Sequence, residues 1–182
     1  MAIETRTSQL LVADEFRMNC LLAAQTVNLP DWYLGAGFLR NAIWDHLHHK
    51  ASMTPLNDVD LVYFDAENTS QQSERDIEAR LMELFPDVDW EVRNQARMHV
   101  RHGHQPYTCT TDGIAQWVEV PTCVGVRLEH DGIFTFTAPF GLEENWLLTV
   151  KINPNNPRPD VFRQRIRKKD WLKNWPELSI VD

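Results

Sequence analysis

The sequence is short of cysteine, of long apolar runs and of positive charge, and each shortage removes a class of explanation. Its three cysteines, Cys20, Cys109 and Cys123, are odd in number, widely spaced and free of any C-x-x-C pairing, so neither a disulfide framework nor a cysteine zinc site is expected. No stretch approaches the ~18 apolar residues of a membrane span, and Met1 to Leu11 lack the basic start and apolar run of a secretion signal. A cytoplasmic protein with no membrane partner is the expectation. Lysine and arginine number 18 against 26 aspartates and glutamates, for a net charge of -8 at pH 7. That balance argues against a broad electrostatic grip on nucleic acid, which is carried by cations on phosphates. Any nucleotide handled here is expected to be small rather than polymeric.

What is present suits one globular domain. The 182 residues are 43% hydrophobic and 24% charged, enough to bury a core without help from disulfides or metals. A single domain over 1–182 is expected, with its core at about 8–100 and the part 101–182 packing on it. Seven basic residues, Arg158, Arg163, Arg165, Arg167, Lys168, Lys169 and Lys173, fall within sixteen positions near the C-terminus. They read as the solvated face of an amphipathic terminal helix that turns Val161, Phe162, Ile166 and Trp171 inward.

The pattern alternates helices and strands. Residues 8–26 predict one amphipathic helix, ended by Asn28 and Pro30. Trp32–Leu34 predict a short buried strand that turns at Gly35, Ala36 and Gly37 into a helix from Phe38 to about His49. DVDLVYF, from Asp58 to Phe64, predicts a strand with Val59, Leu61 and Tyr63 on one face and Asp58 and Asp60 on the other. A helix over 70–85 and a strand over Val88–Val92 follow, the latter with Asp89 and Glu91 alternating against Trp90 and Val92. Further on, a helix is expected near Gly113–Glu119, strands at Val124–Glu129 and Ile133–Thr137 around a turn at Asp131 and Gly132, and a loop over Val150–Pro159. This alternation favours an α/β or α+β domain around a mixed sheet.

A glycine turn opening a helix, then D-x-D on a strand, then an acid on another strand, is the constellation with chemistry in it. Two carboxylates on one face of a strand can converge on a divalent cation, and oxygen ligands suit magnesium, which shares its coordination with substrate phosphates. Gly35 and Gly37 would let backbone approach a phosphate at the start of the following helix, and Arg40 on its first turn adds a cation. Glu91 is the first choice for a third carboxylate and Asp89 the second. Taken singly, each piece also reads as an ordinary turn or a solvated strand face.

These residues resemble the DNA polymerase beta type nucleotidyltransferase superfamily. The turn Ala36, Gly37, Phe38, Leu39, Arg40, Asn41 is similar to the G-G-x-V-R-D turn of tRNA nucleotidyltransferases and poly(A) polymerases. The strings GAGFLRNAIWD, TPLNDVDLVYFD and WEVRNQARMH resemble a family of small bacterial nucleotidyltransferase-like proteins over most of the chain. Ala36 stands where the superfamily has glycine, Asn41 where it has aspartate, and an insertion at His46–Asn57 lengthens the gap to Asp58. The resemblance implies a nucleotidyltransferase fold, an α+β (α/β-like) domain whose mixed central sheet is flanked by helices, with a C-terminal extension. It also implies a transfer from a nucleoside triphosphate to a hydroxyl on a small molecule, tRNA or protein. Asp58, Asp60 and Glu91 would then hold Mg2+ or Mn2+, and Gly35, Ala36, Gly37, Arg40 and Asn41 would bind the nucleotide.

Two rivals stand beside this. A non-catalytic nucleotide-binding or regulatory module would keep the fold, and the altered turn favours it. His46, His48 and His49, with His99, His102 and His104, offer zinc ligands at spacings that match no strong zinc signature. Asn94, Gln95, Arg97 and His99 would line the same pocket or form a capped polar loop.

Overall fold

The computed structural model describes residues 1–181. Its first helical stretch is two helices, α1 (Ile3–Val12) and α2 (Glu15–Thr26), rather than the one expected over 8–26. Asp14 makes the break. Its backbone is extended and its carboxylate accepts from the Arg17 amide, so it starts a new helix as an N-cap.

The chain then forms β1 (Tyr33–Gly35), α3 (Gly37–Leu47), β2 (Val59–Tyr63), α4 (Gln71–Leu84) and β3 (Trp90–Asn94). After these come α5 (Gln95–His102), α6 (Thr110–Ile114), a 3-10 turn at Val120–Thr122, β4 (Gly125–Leu128) and β5 (Phe134–Thr137). The last part comprises α7 (Glu143–Trp146), β6 (Thr149–Lys151), α8 (Pro159–Lys168), α9 (Trp171–Asn174) and β7 (Ser179–Val181). Three expectations shift. The helix expected at 113–119 lies earlier, as α6; the start of the expected loop is β6; and the basic helix is not terminal, because β7 follows it and pairs in parallel with β6.

Five strands form one sheet in the order β3-β2-β1-β4-β5. Strands β2 and β3 are parallel and the other pairs antiparallel, so the sheet is mixed. One face carries Leu34, Val59, Leu61, Tyr63, Trp90, Val92, Val126 and Leu128 into the main core, where Leu11, Leu21, Phe38, Ile43 and Leu81 from α1 to α4 meet them. By the period of two, the other face carries Tyr33, Asp60, Val62 and Glu91. Tyr33 and Val62 are covered there by Ile114 and Cys123. Asp60 and Glu91 lie toward the start of their strands, beyond that apolar cover.

The exposed edge of the sheet is managed by α4. Glu78 accepts from the Val92 amide and Glu74 from the Asn94 amide, which satisfies the outward N–H groups of β3. A second cluster, Trp44, Val150, Phe162, Trp171, Trp175 and Leu178, fastens the C-terminal elements to α3. The indoles of Trp171 and Trp175 meet that of Trp44 edge-on at 5.4 and 5.1 Å. Asp45 joins the same seam, accepting from Trp175 Nε1 at 2.8 Å and from the Thr54 amide and hydroxyl. The tryptophans therefore bury, as their size favours.

Candidate active site

Asp60 and Glu91 are partners in the β2–β3 register. Parallel neighbours in register project from the same face, and Asp58, two residues before Asp60, is directed the same way. The sheet thus gathers Asp60 and Glu91 on one face with Asp58 close enough to act on Asp60, while Asp89, an exposed residue before β3 whose carbonyl accepts from the Val59 amide, is not among the charges that act on Asp60. Burial, then the charges of Asp58 and Glu91, push the Asp60 carboxyl up to about 7, against the pull of Lys169 and Arg40. Among the described residues, no side chain or amide donates to the carboxylate of Asp58 or Asp60. Glu91 is engaged, in an ion pair with Arg93 at 2.9 Å, and Arg93 also donates to Glu78 at 2.9 Å.

A half-buried carboxylate forced toward protonation by two like charges, with no hydrogen-bond partner, is an environment that a divalent cation would relieve. No group of three or more metal-ligating side chains is gathered closely enough to hold an ion among the described residues. The donor set fits an oxygen-liking cation in chemistry, with Glu91 turned toward Arg93 instead of the aspartates.

The turn between β1 and α3 lies beside this face. Ala36 has φ 52° and ψ -120°, a conformation that glycine favours and that a Cβ strains. Its amide donates to the Val124 carbonyl, and its carbonyl accepts from the Arg40 amide. No side chain caps α3, which leaves the amides of Gly37, Phe38 and Leu39 at the positive end of the helix dipole. The two glycines have different reasons. A Cβ on Gly35 would fall 2.8 Å from the Trp117 ring, so Gly35 is required by packing. A Cβ on Gly37 would sit 3.3 Å from Arg40 Nη2 and 3.6 Å from Asn41 Nδ2, so these polar side chains overhang the turn.

Arg40 is buried. It donates from Nε and Nη2 to Asn41 Oδ1 at 3.1 and 3.0 Å, and from Nη1 to the Thr122 hydroxyl at 2.8 Å. Its guanidinium also lies over the rings of Trp44 and Trp171 at 5.0 and 4.5 Å. Burial lowers its pKa to about 10, which still leaves it charged at neutral pH. The free bidentate contact expected of Arg40 is thus largely committed inside the protein, while Asn41, in the place of the superfamily's aspartate, accepts two of its bonds.

The basic segment contributes what the sequence reading assigned to solvent. Arg165 pairs with fully buried Glu119, at 2.5 Å from Nε and 3.3 Å from Nη2. Lys169, one residue past α8, lies within electrostatic reach of Asp58, Asp60 and Arg40. Loss of solvation, then Arg165 and Arg40, lower its ammonium pKa against the pull of Asp58 and Glu119. The signal in the sequence was the spacing of Arg165 from Phe162 and Ile166, which places that cation at a half-buried position of α8, with the more exposed Lys169 one turn further on. Asn94, Gln95 and Arg97 instead build structure: Asn94 caps α5 and holds Asp65, and Arg97 pairs with buried Glu74. The histidines split into two sets, His48 against the Trp44 carbonyl and His46 against Trp146, with His99, His102 and His104 around Tyr107, and none belongs to a metal-holding group of three among the described residues.

A nucleotidyltransferase family model matches residues 22–180. The chain belongs to that nucleotidyltransferase family. An NMR structure described as revealing a CCA-adding enzyme head domain is 31% identical, with a TM-score of 0.82 over 95% of this chain and 94% of that one. A CCA-adding enzyme in complex with CTP is 15% identical at a TM-score of 0.61, covering 97% of this chain and 43% of that one. An apo CCA-adding enzyme is 14% identical at the same TM-score, with 96% and 42% covered. The chain thus spans less than half the length of those two enzymes, and the likeness to them is one of fold. No curated protein matches the sequence. No helix among the described residues is long and apolar enough to cross a membrane.

Proposed function

We propose that this protein transfers a nucleoside monophosphate from a nucleoside triphosphate to an acceptor hydroxyl, in a reaction that depends on Mg2+ or Mn2+. The observation that carries the proposal is the partnerless pair Asp58 and Asp60, with Glu91 across the ladder, beside an uncapped helix start. Asp58 and Asp60 would hold the ion, with Glu91 as the third oxygen donor. A bound divalent cation there supplies charge neutralisation for the phosphates.

The remaining work falls to the chain itself. The amides of Gly37, Phe38 and Leu39 receive phosphate oxygens along the α3 dipole, and Asn41 Nδ2 adds a donor above Gly37. Ala36 shapes the turn, Gly35 gives Trp117 room beneath it, and Arg40 holds Asn41 in place while adding a fixed positive charge nearby. Lys169 is a cation able to follow the triphosphate as its charge moves onto pyrophosphate. The acceptor oxygen forms its bond to the α-phosphorus as the bond to the pyrophosphate oxygen breaks, and Glu91 takes the hydroxyl proton after leaving Arg93. The CTP complex and head-domain likeness make tRNA one acceptor to test, beside small molecules and proteins; a cytoplasmic setting is part of the proposal.

The test is pyrophosphate release with Mg2+ and each nucleoside triphosphate, using wild type and Asp60→Ala. Release by wild type alone is expected, and equally tight magnesium–triphosphate binding by both forms would remove the site. The strained Ala36 and the pairing of Glu91 with Arg93 favour a second reading, a nucleotide-binding module without turnover. Tight binding with no release at any acceptor would establish that reading.

A further inference from the structure

Away from the carboxylates, the end of α5 and the start of α8 meet across a cleft of about 620 Å³ lined by Arg101, His102, His104, Asn156 and Arg158. In a protein of net charge -8, none of these lining residues is acidic. The two imidazoles lie 5.6 Å apart. His104 Nδ1 is 2.6 Å from the Tyr107 hydroxyl, whose pKa burial pushes up to about 12. The phenol therefore keeps its proton and occupies Nδ1, which leaves Nε2 as the ring nitrogen of His104 without a protein partner among the described residues. Asn156 is fixed by donating from Nδ2 to the Gln116 carbonyl at 2.7 Å, and Arg158 stands at the head of α8, where no side chain caps the helix. His102 is held low by loss of solvation and then by His104, Arg101 and Arg158, and among the described residues neither Arg101 nor Arg158 is in an ion pair.

We propose that this cleft binds a phosphate group carried by the acceptor. The role rests on the nucleotidyl-transfer reading, although the anion site itself stands on the cleft alone. Helix α8 has ten residues, so it runs roughly 15 Å from Arg158 toward Lys169 at the carboxylates. Its outer face adds Arg167 and Lys168 along the way, beside Arg163, which is paired with Asp160 at 2.9 Å. An acceptor anchored by phosphate at the α5–α8 cleft can thus lie along α8 with its hydroxyl at Glu91.

The test compares wild type, the double variant Arg101→Ala with Arg158→Ala, and Asp60→Ala. Two probes identify the source of the phosphate: inorganic phosphate, followed by the imidazole proton resonances of His102 and His104, and a short 5′-phosphorylated single-stranded oligoribonucleotide, followed by fluorescence anisotropy. Binding should fall about tenfold in the double variant, with a salt dependence shallower by about two phosphate contacts for the oligonucleotide. Asp60→Ala should retain it. Both arginines are exposed, so the variant should fold, and unchanged magnesium–triphosphate binding verifies that it does. Loss of phosphate response alone assigns a small phosphorylated acceptor, and loss of both assigns a polynucleotide. Equal affinity of the double variant and wild type for both probes would overturn the proposal, whatever the outcome at the carboxylates.

Discussion

Asp60 and Glu91 stand opposite one another in a parallel ladder, yet only Glu91 has a cationic partner in ion-pair contact, Arg93 at 2.9 Å. The asymmetry divides their roles. Asp60 is left for a cation, and Glu91 is available to exchange one positive partner for another. Asp89, exposed and before the strand, has neither.

Glu91→Gln should therefore lower the rate of pyrophosphate release by on the order of 10²–10³-fold, as loss of a general base does, with little change in triphosphate affinity. Asp89→Asn should leave both untouched. Steady-state kinetics of the two variants measures this, and an equal loss in both would reassign the third carboxylate.

Protonation of Asp60 supplies a second expectation, in metal-free buffer. A folded carboxyl raised to about 7 binds its proton more tightly than the unfolded chain, whose value is near 4. Its stabilising preference is full below about pH 4 and is lost as the pH rises through about 7. Asp60→Asn removes that loss. Urea melts at about pH 5 and about pH 8 should show wild type falling by on the order of 1–2 kcal/mol more than the variant. Parallel curves would place Asp60 in a more solvated setting than its neighbours suggest.

The site was legible in the sequence where strand periodicity governs it. Asp58, Asp60 and Glu91 share a face because side chains alternate, and no tertiary information is needed for that. Which strand neighbours which is another matter: that Glu91 stands level with Asp60 comes from the β2–β3 register, and that Asp89 is left exposed before the strand comes from where β3 starts. Arg40 looked like a ligand because helix position says where a side chain starts, not what it meets; Trp44 lies one turn along the same helix, but Thr122 and Trp171 come from two distant segments. Lys169 was hidden for the same reason, in a basic run whose outward members resemble solvated charge. The break at Asp14 needed only local capping, but Asp14 lies within an apolar pattern that reads as continuous.

Ala36→Gly should stabilise the protein. Relief of the φ 52° conformation gains about 1–3 kcal/mol, and the greater freedom of glycine in the unfolded chain returns about 0.5–1 kcal/mol. A net gain of about 1 kcal/mol in denaturant melts is expected, together with triphosphate binding no weaker than before, since the amides of Gly37 to Leu39 remain. Destabilisation would mean that the alanine methyl packs productively against the turn.

Arg40 joins the sheet domain to the C-terminal elements, and its replacement tests whether that junction or the substrate is its main partner. Arg40→Met keeps length and apolar bulk between Trp44 and Trp171 while deleting the charge and the bonds to Asn41 and Thr122. Losing these buried, charge-assisted bonds should cost about 2–3 kcal/mol, and Asn41 should lose its fixed orientation over Gly37. The expected kinetic pattern is a raised KM for the triphosphate with kcat changed less, because Lys169 and the helix amides remain to act on the reacting phosphates. Hydrogen exchange would show faster opening of α9 and β7, whose Trp171 contact is weakened, before that of β1 to β3. A fall in kcat with KM and exchange unchanged would instead make Arg40 a direct participant in phosphate transfer.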